Sequence, residues 1–257
     1  MMVKVNIDGK EIEVEKGTYI IKIAEKLGIN IPTLCYHPSL QPYGACRLCI
    51  VEVEKNGRKK IVTSCNYPVE DGLIVKTDTE EIKNLRKLLI ELLISRCPGI
   101  EKLEKLAEEY GVRERRFEEG KENCILCGLC VRVCSEIIGA NAISFTGRGI
   151  EREVSTPFKI SSESCIGCGA CVYICPTGAI KMEDIDGKTR IEKWNTELEL
   201  KKCKICGKPV APVRQIEYIK RKIKVLEDLF ELCQECKRKY YGKKIIALGG
   251  NKWKIKI

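Results

Sequence analysis

Histidine is almost missing from this chain of 257 residues: His37 is the only one. A single imidazole rules out a histidine-rich metal centre, and neither a Ser/His/Asp set nor an open metal site is recognisable. P-loop and dinucleotide-binding fingerprints are absent as well. No apolar run is long enough to cross a bilayer, since the longest, residues 88–95, is interrupted by Glu91. The N-terminal MMVKVNIDGKEIEVEKG lacks the apolar centre of a secretory signal, so a cytoplasmic chain with reduced thiols is expected.

What the chain has in excess is cysteine, with 17 in all. The formal charge of +10 treats each of them as a neutral thiol, whereas metal ligands are thiolates. Four thiolates around an oxidised cluster or a zinc ion leave about −2 per site, so four such sites bring the chain to roughly +2. Basicity is therefore no argument for nucleic acid, and no nucleic-acid partner is expected.

The spacing of the cysteines carries the chemistry. Cys124-Ile-Leu-Cys127-Gly-Leu-Cys130-Val-Arg-Val-Cys134 returns as Cys165-Ile-Gly-Cys168-Gly-Ala-Cys171-Val-Tyr-Ile-Cys175-Pro176. C-x-x-C-x-x-C turns the backbone so that three sulfurs and several N–H groups face one small object, and Gly128, Gly167 and Gly169 supply the positive φ such loops need. The fourth cysteine of each run ligates the other cluster. The predicted [4Fe–4S] sites are thus Cys124, Cys127, Cys130 and Cys175, and Cys165, Cys168, Cys171 and Cys134. Ser135 replaces the usual proline after Cys134, and the 30 residues between Cys134 and Cys165 require an inserted loop or hairpin.

Nearer the N-terminus, Cys35-x10-Cys46-x2-Cys49-x15-Cys65 places two cysteines on a tight loop and two on flanking segments, which suits a [2Fe–2S] rhomb. Around it the apolar alternation predicts strands at residues 3–7, 12–14, 50–53, 61–62 and 74–75, with turns at Asp8-Gly9 and Asn56-Gly57 and a helix over 18–27. That is the order of a β-grasp domain. Thr77-x-x-Glu80 reads as a capping box opening a helix whose apolar stripe is Ile82, Leu85, Leu88, Leu89 and Leu92. A second helix carries Leu103, Leu106 and Ala107 up to Gly111. His37 either tunes the neighbouring site by a hydrogen bond or is a solvated loop residue, and Cys97 is read as a free or buried thiol.

Cys203-x-x-Cys206 and Cys233-x-x-Cys236 read as two knuckles of a zinc-ribbon or rubredoxin-like site, separated by a long amphipathic helix bearing Ile216, Ile219, Ile223, Leu226 and Phe230. Zinc is the first expectation. One iron or a further cluster is the alternative.

The expected fold class is α+β, in four parts. They are a β-grasp [2Fe–2S] domain at 1–78, a helical linker at 79–116, a two-[4Fe–4S] ferredoxin-like domain at 117–184, and a four-cysteine zinc-ribbon-like module at 185–257.

Residues 1–183 resemble the iron–sulfur region shared by the large iron–sulfur subunit of respiratory complex I, iron-only hydrogenases and the diaphorase subunits of soluble hydrogenases. The resemblance lies in Pro32-Thr-Leu-Cys35-Tyr-His, Gly44-Ala-Cys46-Arg-Leu-Cys49, the Leu106-Ala-Glu-Glu-Tyr-Gly111 helix, the first cysteine run and Ser155-Thr-Pro-Phe158. It departs where Arg96-Cys97-Pro98-Gly99 runs into the next helix. The family's site of one histidine and three cysteines is thereby implied to be lost. No motif for a hydrogen-activating cluster follows, so catalysis is expected on a partner. The resemblance implies an electron-relay subunit in the cytoplasm of an anaerobe, linking a flavin subunit that handles NAD(P)H to a ferredoxin- or hydrogen-linked partner, as in electron-bifurcating NAD(P)H:ferredoxin oxidoreductases and bifurcating hydrogenases. A freestanding polyferredoxin is the alternative.

Overall fold

The computed structural model describes residues 1–224 and 230–249, with the side chains of 245–249 left aside. The elements run β1 (Met2–Ile7), β2 (Lys10–Glu15), α1 (Ile20–Lys26), β3 (Ile50–Lys55), β4 (Arg58–Thr63), β5 (Leu73–Lys76), α2 (Glu80–Arg96), α3 (Glu101–Tyr110) and α4 (Leu129–Arg132). After a π-turn at Val133–Ile138 come β6 (Ser144–Thr146), β7 (Glu153–Ser155), α5 (Ala170–Ile174), β8 (Glu183–Ile185), β9 (Lys188–Ile191), β10 (Thr196–Lys202), β11 (Pro209–Pro212), α6 (Val213–Lys222) and α7 (Gln234–Gly249). The residues group into two units. One comprises Met1–Gly139, Phe145–Val154 and Cys171–Ala179, and the other Ala140–Ser144, Ser155–Ala170 and the chain from Ile180 onward. None of the described helices is long and apolar enough to cross a membrane.

In the first unit five strands form one sheet in the order β2-β1-β5-β3-β4, with β1 and β5 parallel and the other pairs antiparallel. Alternation drives this arrangement: Val3, Val5 and Ile7 are buried on one face of β1 while the residues between them point away. The hairpins close on Asp8-Gly9 and Asn56-Gly57, where both central residues have positive φ, as tight primed turns require. Helix α1 lays Ile20, Ile21, Ile23 and Ala24 on the same apolar cluster as Val51, Val53, Leu73 and Val75. Cys49 and Cys65 are buried members of that cluster, so the core itself carries thiols.

Two helical expectations are corrected. Thr79 caps α2 by accepting from the Ile82 N–H at 3.3 Å, whereas Thr77 is spent on the first turn of the sheet, its N–H and hydroxyl donating to the two Asp8 carboxylate oxygens at 2.8 and 2.6 Å. The buried face of α2 is also rotated from the predicted stripe. Ile82, Arg86, Ile90 and Ile94 point inward at intervals of four, while Leu88 and Leu92 are exposed. Arg86 is the physical reason. Although only 3% exposed, its Nε and Nη2 donate to the carbonyls of Leu48 and Ile50 at 3.1 and 2.8 Å, on either side of Cys49. Buried carbonyls need donors, and a guanidinium supplies two in fixed geometry.

Helix α3 ends at Gly111, whose φ of 65° terminates it as expected, with Leu103 and Ala107 buried. Glu91, which breaks the apolar run of α2, is buried against the Arg116 guanidinium at 2.7 Å, and this pair holds its carboxyl below the usual range.

The second unit is built on the four-stranded sheet β11-β10-β9-β8, whose first hairpin turns on Asp186-Gly187, again with both φ positive. Trp194, Leu198, Leu200 and Ile191 are buried on it. The segment before Ala170 joins this unit: the Asn195 amide donates to the Lys159 carbonyl at 2.9 Å, and the Arg214 guanidinium to those of Ser162 and Glu163 at 3.4 and 3.3 Å. The expected long helix is shorter than its pattern suggests. Helix α6 ends at Lys222, with Ile223 exposed and already extended, Phe230 lies outside the helix, and Leu226 falls outside the described residues.

Replacing Arg86 by methionine, which leaves both buried carbonyls without their donors, is expected to lower stability by about 2–4 kcal/mol in anaerobic denaturant unfolding. Leu88→Ser on the outward face of the same helix should change it by less than about 0.5 kcal/mol.

Candidate functional site

None of the 17 cysteines forms a disulfide. In the first unit Cys35, Cys49 and Cys65 are each 1% exposed and Cys46 is 7% exposed. The loop between α1 and β3 delivers three of them, and the turn after β4 delivers Cys65. The sulfurs are paired and hydrogen-bonded: the Cys46 N–H donates to Cys35 Sγ at 3.4 Å, and the Leu34 N–H donates to Cys46 Sγ at 3.4 Å. Hydrogen bonds from the Cys46 side chain and from backbone N–H groups hold the Cys35 thiol down at about 6, with the Arg132 cation adding to the effect. Cys49 is held at about 7, chiefly by the Cys65 side chain. As donors of these pairs, and buried among like charges, Cys46 and Cys65 are pushed up. Gathering four thiolates is thus unfavourable in itself, which is the signature of a site that wants a cation among them.

Close backbone approach is enforced at Gly44. Its φ is +71°, and a Cβ there would meet the Asn66 side chain at 3.0 Å. His37 accepts from the Ser39 N–H through Nδ1 at 3.2 Å, a local turn contact.

The first cysteine run lies in the same unit. Cys127 and Cys130 are 7% exposed and Cys124 is half-buried. Burial pushes the Cys127 thiol up to about 12, with the Cys175 and Cys124 sulfurs adding like charge, and Cys130 is raised by burial and by Cys127, Cys124 and Cys175. Cys171 adds to the effect on Cys130, so the like charge comes from both cysteine runs. Of the second predicted set, Cys134 and Cys171 belong to the first unit, whereas Cys165 and Cys168 belong to the second, where the Cys165 N–H donates to the Ser162 carbonyl at 3.1 Å. Gly167 in that loop has φ +68°, and a Cβ would meet Leu198 of β10 at 2.6 Å and Pro212 at 3.0 Å.

One contribution escapes reading by cysteine spacing. The Arg132 guanidinium, at the end of α4, the helix that also carries Cys130, donates through Nη2 to the Cys35 carbonyl at 2.6 Å and through Nη1 to the Gln41 carbonyl. The only sequence signal was a basic residue inside a cysteine run. Its Nε is buried with no partner among the described residues, a donor left over beside the thiols. Cys97, which no spacing assigned, is fully buried at the end of α2.

The C-terminal four come together most tightly. The sulfurs of Cys203, Cys206, Cys233 and Cys236 all lie within 4.8 Å of one another, with Cys206 and Cys233 3.5 Å apart. Four sulfurs about 2.3 Å from one tetrahedral ion would be about 3.8 Å apart, so the spacing suits a single metal. The first knuckle closes through Cys203 N–H to Lys208 carbonyl (2.8 Å) and Gly207 N–H to Cys203 carbonyl (2.9 Å). The Lys204 N–H donates to the Glu231 carbonyl at 2.9 Å and ties the knuckles together. Backbone N–H groups of Cys233, Cys206 and Ile205 hold the Cys203 thiol at about 6, while the Cys206 side chain, followed by burial, pushes Cys236 up to about 12.

Against known proteins, residues 1–80 match the family model described as 2Fe-2S iron-sulfur cluster binding domain, and residues 123–179 match the one described as 4Fe-4S dicluster domain. The chain is 40% identical over 173 residues to the NADPH-Fe(3+) oxidoreductase subunit alpha of Geobacter sulfurreducens, covering 58% of this chain and 20% of that one. It is 34% identical over 206 residues to an NADH-quinone oxidoreductase subunit of Rhizobium meliloti, covering 70% of this chain and 24% of that one. It thus spans about a fifth to a quarter of the length of these relatives. Among solved structures, an NAD+-reducing [NiFe]-hydrogenase in the H2-reduced state matches with a TM-score of 0.59 and 29% identity, covering 74% of this chain and 87% of that one.

Metal binding to the four C-terminal thiols releases protons, so affinity rises with pH. Titrated with cobalt(II), the protein should show tetrahedral thiolate absorption at neutral pH that fades as acid takes Cys203 through about 6. Cys206→Ser should weaken it and Cys97→Ser should not.

Proposed function

From a chain that carries a 2Fe-2S and a 4Fe-4S dicluster domain and is homologous to iron–sulfur subunits of NADH and NADPH oxidoreductases, we propose an electron-relay subunit of a multisubunit oxidoreductase. It passes single electrons between a flavin subunit that handles NAD(P)H and a ferredoxin- or hydrogen-linked partner. Bound clusters supply reversible one-electron chemistry, and the chain supplies their positions and their electrostatic surroundings.

The proposed ligands are Cys35, Cys46, Cys49 and Cys65 for one [2Fe–2S], then Cys124, Cys127, Cys130 and Cys175, and Cys165, Cys168, Cys171 and Cys134, for two [4Fe–4S]. Cys203, Cys206, Cys233 and Cys236 are proposed to hold zinc, which clamps the two knuckles and so shapes a docking face. The proposed domain limits are a β-grasp domain at 1–78, a helical linker at 79–116, the dicluster domain at 117–184 and the four-cysteine module at 185–257.

One observation carries the reading. The thiols at Cys35, Cys46, Cys49 and Cys65 and those at Cys124, Cys127, Cys130 and Cys175 lie within a single unit, and the Arg132 guanidinium of the first cysteine run donates to the Cys35 carbonyl at 2.6 Å. Two one-electron sites held in one unit, with a hydrogen bond between the loops that carry them, suit a relay because the chain then fixes their separation. A solved structure that this chain covers over 87% of its length is described as an NAD+-reducing [NiFe]-hydrogenase, which supports a place in a complex of that kind.

Anaerobic purification from the source tests the proposal. About ten irons and one zinc per chain are expected, together with co-elution of a flavin-containing subunit. About 14 irons would place a further cluster on the C-terminal cysteines, and about six would remove one [4Fe–4S] site. A monomer with its full iron and no flavin subunit would overturn the relay in favour of a freestanding polyferredoxin.

A further inference from the structure

Arg132 sits between Cys130 and Cys134, two proposed ligands of different [4Fe–4S] clusters, yet its guanidinium is spent on the loop that carries Cys35. Nη2 donates to the Cys35 carbonyl at 2.6 Å and Nη1 to the Gln41 carbonyl. The Gln41 N–H donates to Glu136 Oε2 at 2.8 Å, so residues on both sides of Cys134 grip the same loop. Beyond it Tyr43 completes the contact. Its ring lies 5.6 Å from the Arg132 guanidinium and stacks on Phe145 at 6.1 Å, and its hydroxyl accepts from Arg152 at 3.3 Å. Gly128, in the first cysteine run, lies against this stack: a Cβ there would meet Phe145 at 3.1 Å and Tyr43 at 3.5 Å.

Taking the iron–sulfur reading as its basis, we propose that Arg132 is the positioning residue that joins the [2Fe–2S] site to the first [4Fe–4S] site, fixing their separation through its two-carbonyl fork and raising the [2Fe–2S] potential through its charge. The fork matters because a planar guanidinium can hold two carbonyls at once, whereas an ammonium is a point charge that cannot reproduce that geometry. The charge matters because a reduced cluster carries one more negative charge than an oxidised one and is favoured beside a cation. In the step served, one electron leaves the reduced cluster at one site and enters the oxidised cluster at the other. No bond to Arg132 forms or breaks, and no proton moves.

The test uses the full chain with its clusters, prepared anaerobically as wild type, Arg132→Lys and Arg132→Gln. Three quantities are measured: iron per chain, the midpoint potential of the [2Fe–2S] paramagnetic signal, and the enhancement of that signal's spin relaxation when the [4Fe–4S] clusters are reduced. The expected result is wild-type iron in both variants, a downward shift of the [2Fe–2S] potential in Arg132→Gln alone, and loss of the relaxation enhancement in both. Wild-type enhancement in a loaded Arg132→Lys overturns the fork, and a wild-type potential in a loaded Arg132→Gln overturns the charge. Should Arg132→Gln lose iron while Arg132→Lys matches wild type in every reading, the residue is packing only and the proposal falls. A wild type with no [2Fe–2S] signal is a different failure, that of the iron–sulfur reading itself, and it shows before any variant is made.

Discussion

Like charges must be brought together in this protein before anything else can happen. Each proposed site gathers sulfurs that favour the thiolate form for a metal yet repel one another, and burial in a core makes that repulsion worse. The fold answers in two ways. Backbone N–H groups are turned toward the sulfurs, as at Cys35, Cys46 and Cys203, and glycines with positive φ let the chain approach without a side chain in the way. Burial and neighbouring sulfurs raise the Cys130 thiol, a cost that metal charge at the proposed site would offset.

Cationic side chains form the second line of compensation, and the buried ones act on carbonyls. Arg86 holds the peptide groups on either side of Cys49, and Arg132 holds that of Cys35. In both cases a long side chain from outside the cysteine loop is bonded to the loop's backbone; Arg86 is buried and Arg132 half-buried. This explains why α2, expected to bury a leucine stripe, instead turns an arginine inward and leaves Leu88 and Leu92 exposed. Apolar periodicity assumes that the inside of a helix is apolar, and here the neighbouring strand presents carbonyls.

Cysteine spacing made the proposed ligand sets readable at once, because a short interval between thiols has few uses. The sheet of the first unit was legible for a similar reason: Val3-Val5-Ile7 and the Asp8-Gly9 and Asn56-Gly57 turns are local signals with local causes. The cap at Thr79 is hidden because Thr77, with Glu80 three residues on, fits the capping-box motif and Thr79, followed by Ile82, does not. Only the distant Asp8 carboxylate, which takes both Thr77 donors, decides between them. The end of α6 at Lys222 was hidden too, since the apolar spacing runs on beyond it.

The sequence by itself determined which atoms are available for chemistry, namely the sulfurs of 17 cysteines, many of them closely spaced, and the turn residues of the loops between them. That is local information, written in intervals of two or three residues. Tertiary structure decided what holds those loops in place. Arg132 crosses to Cys35, Tyr43 stacks on Phe145, and the knuckles at Cys203 and Cys233 close over the Lys204–Glu231 bond. Each of these joins residues far apart in the chain, and their partners are backbone carbonyls and ring faces that every sequence possesses. No residue pattern announces them, because a guanidinium finds a particular carbonyl only after the sheet and helices have brought it within reach.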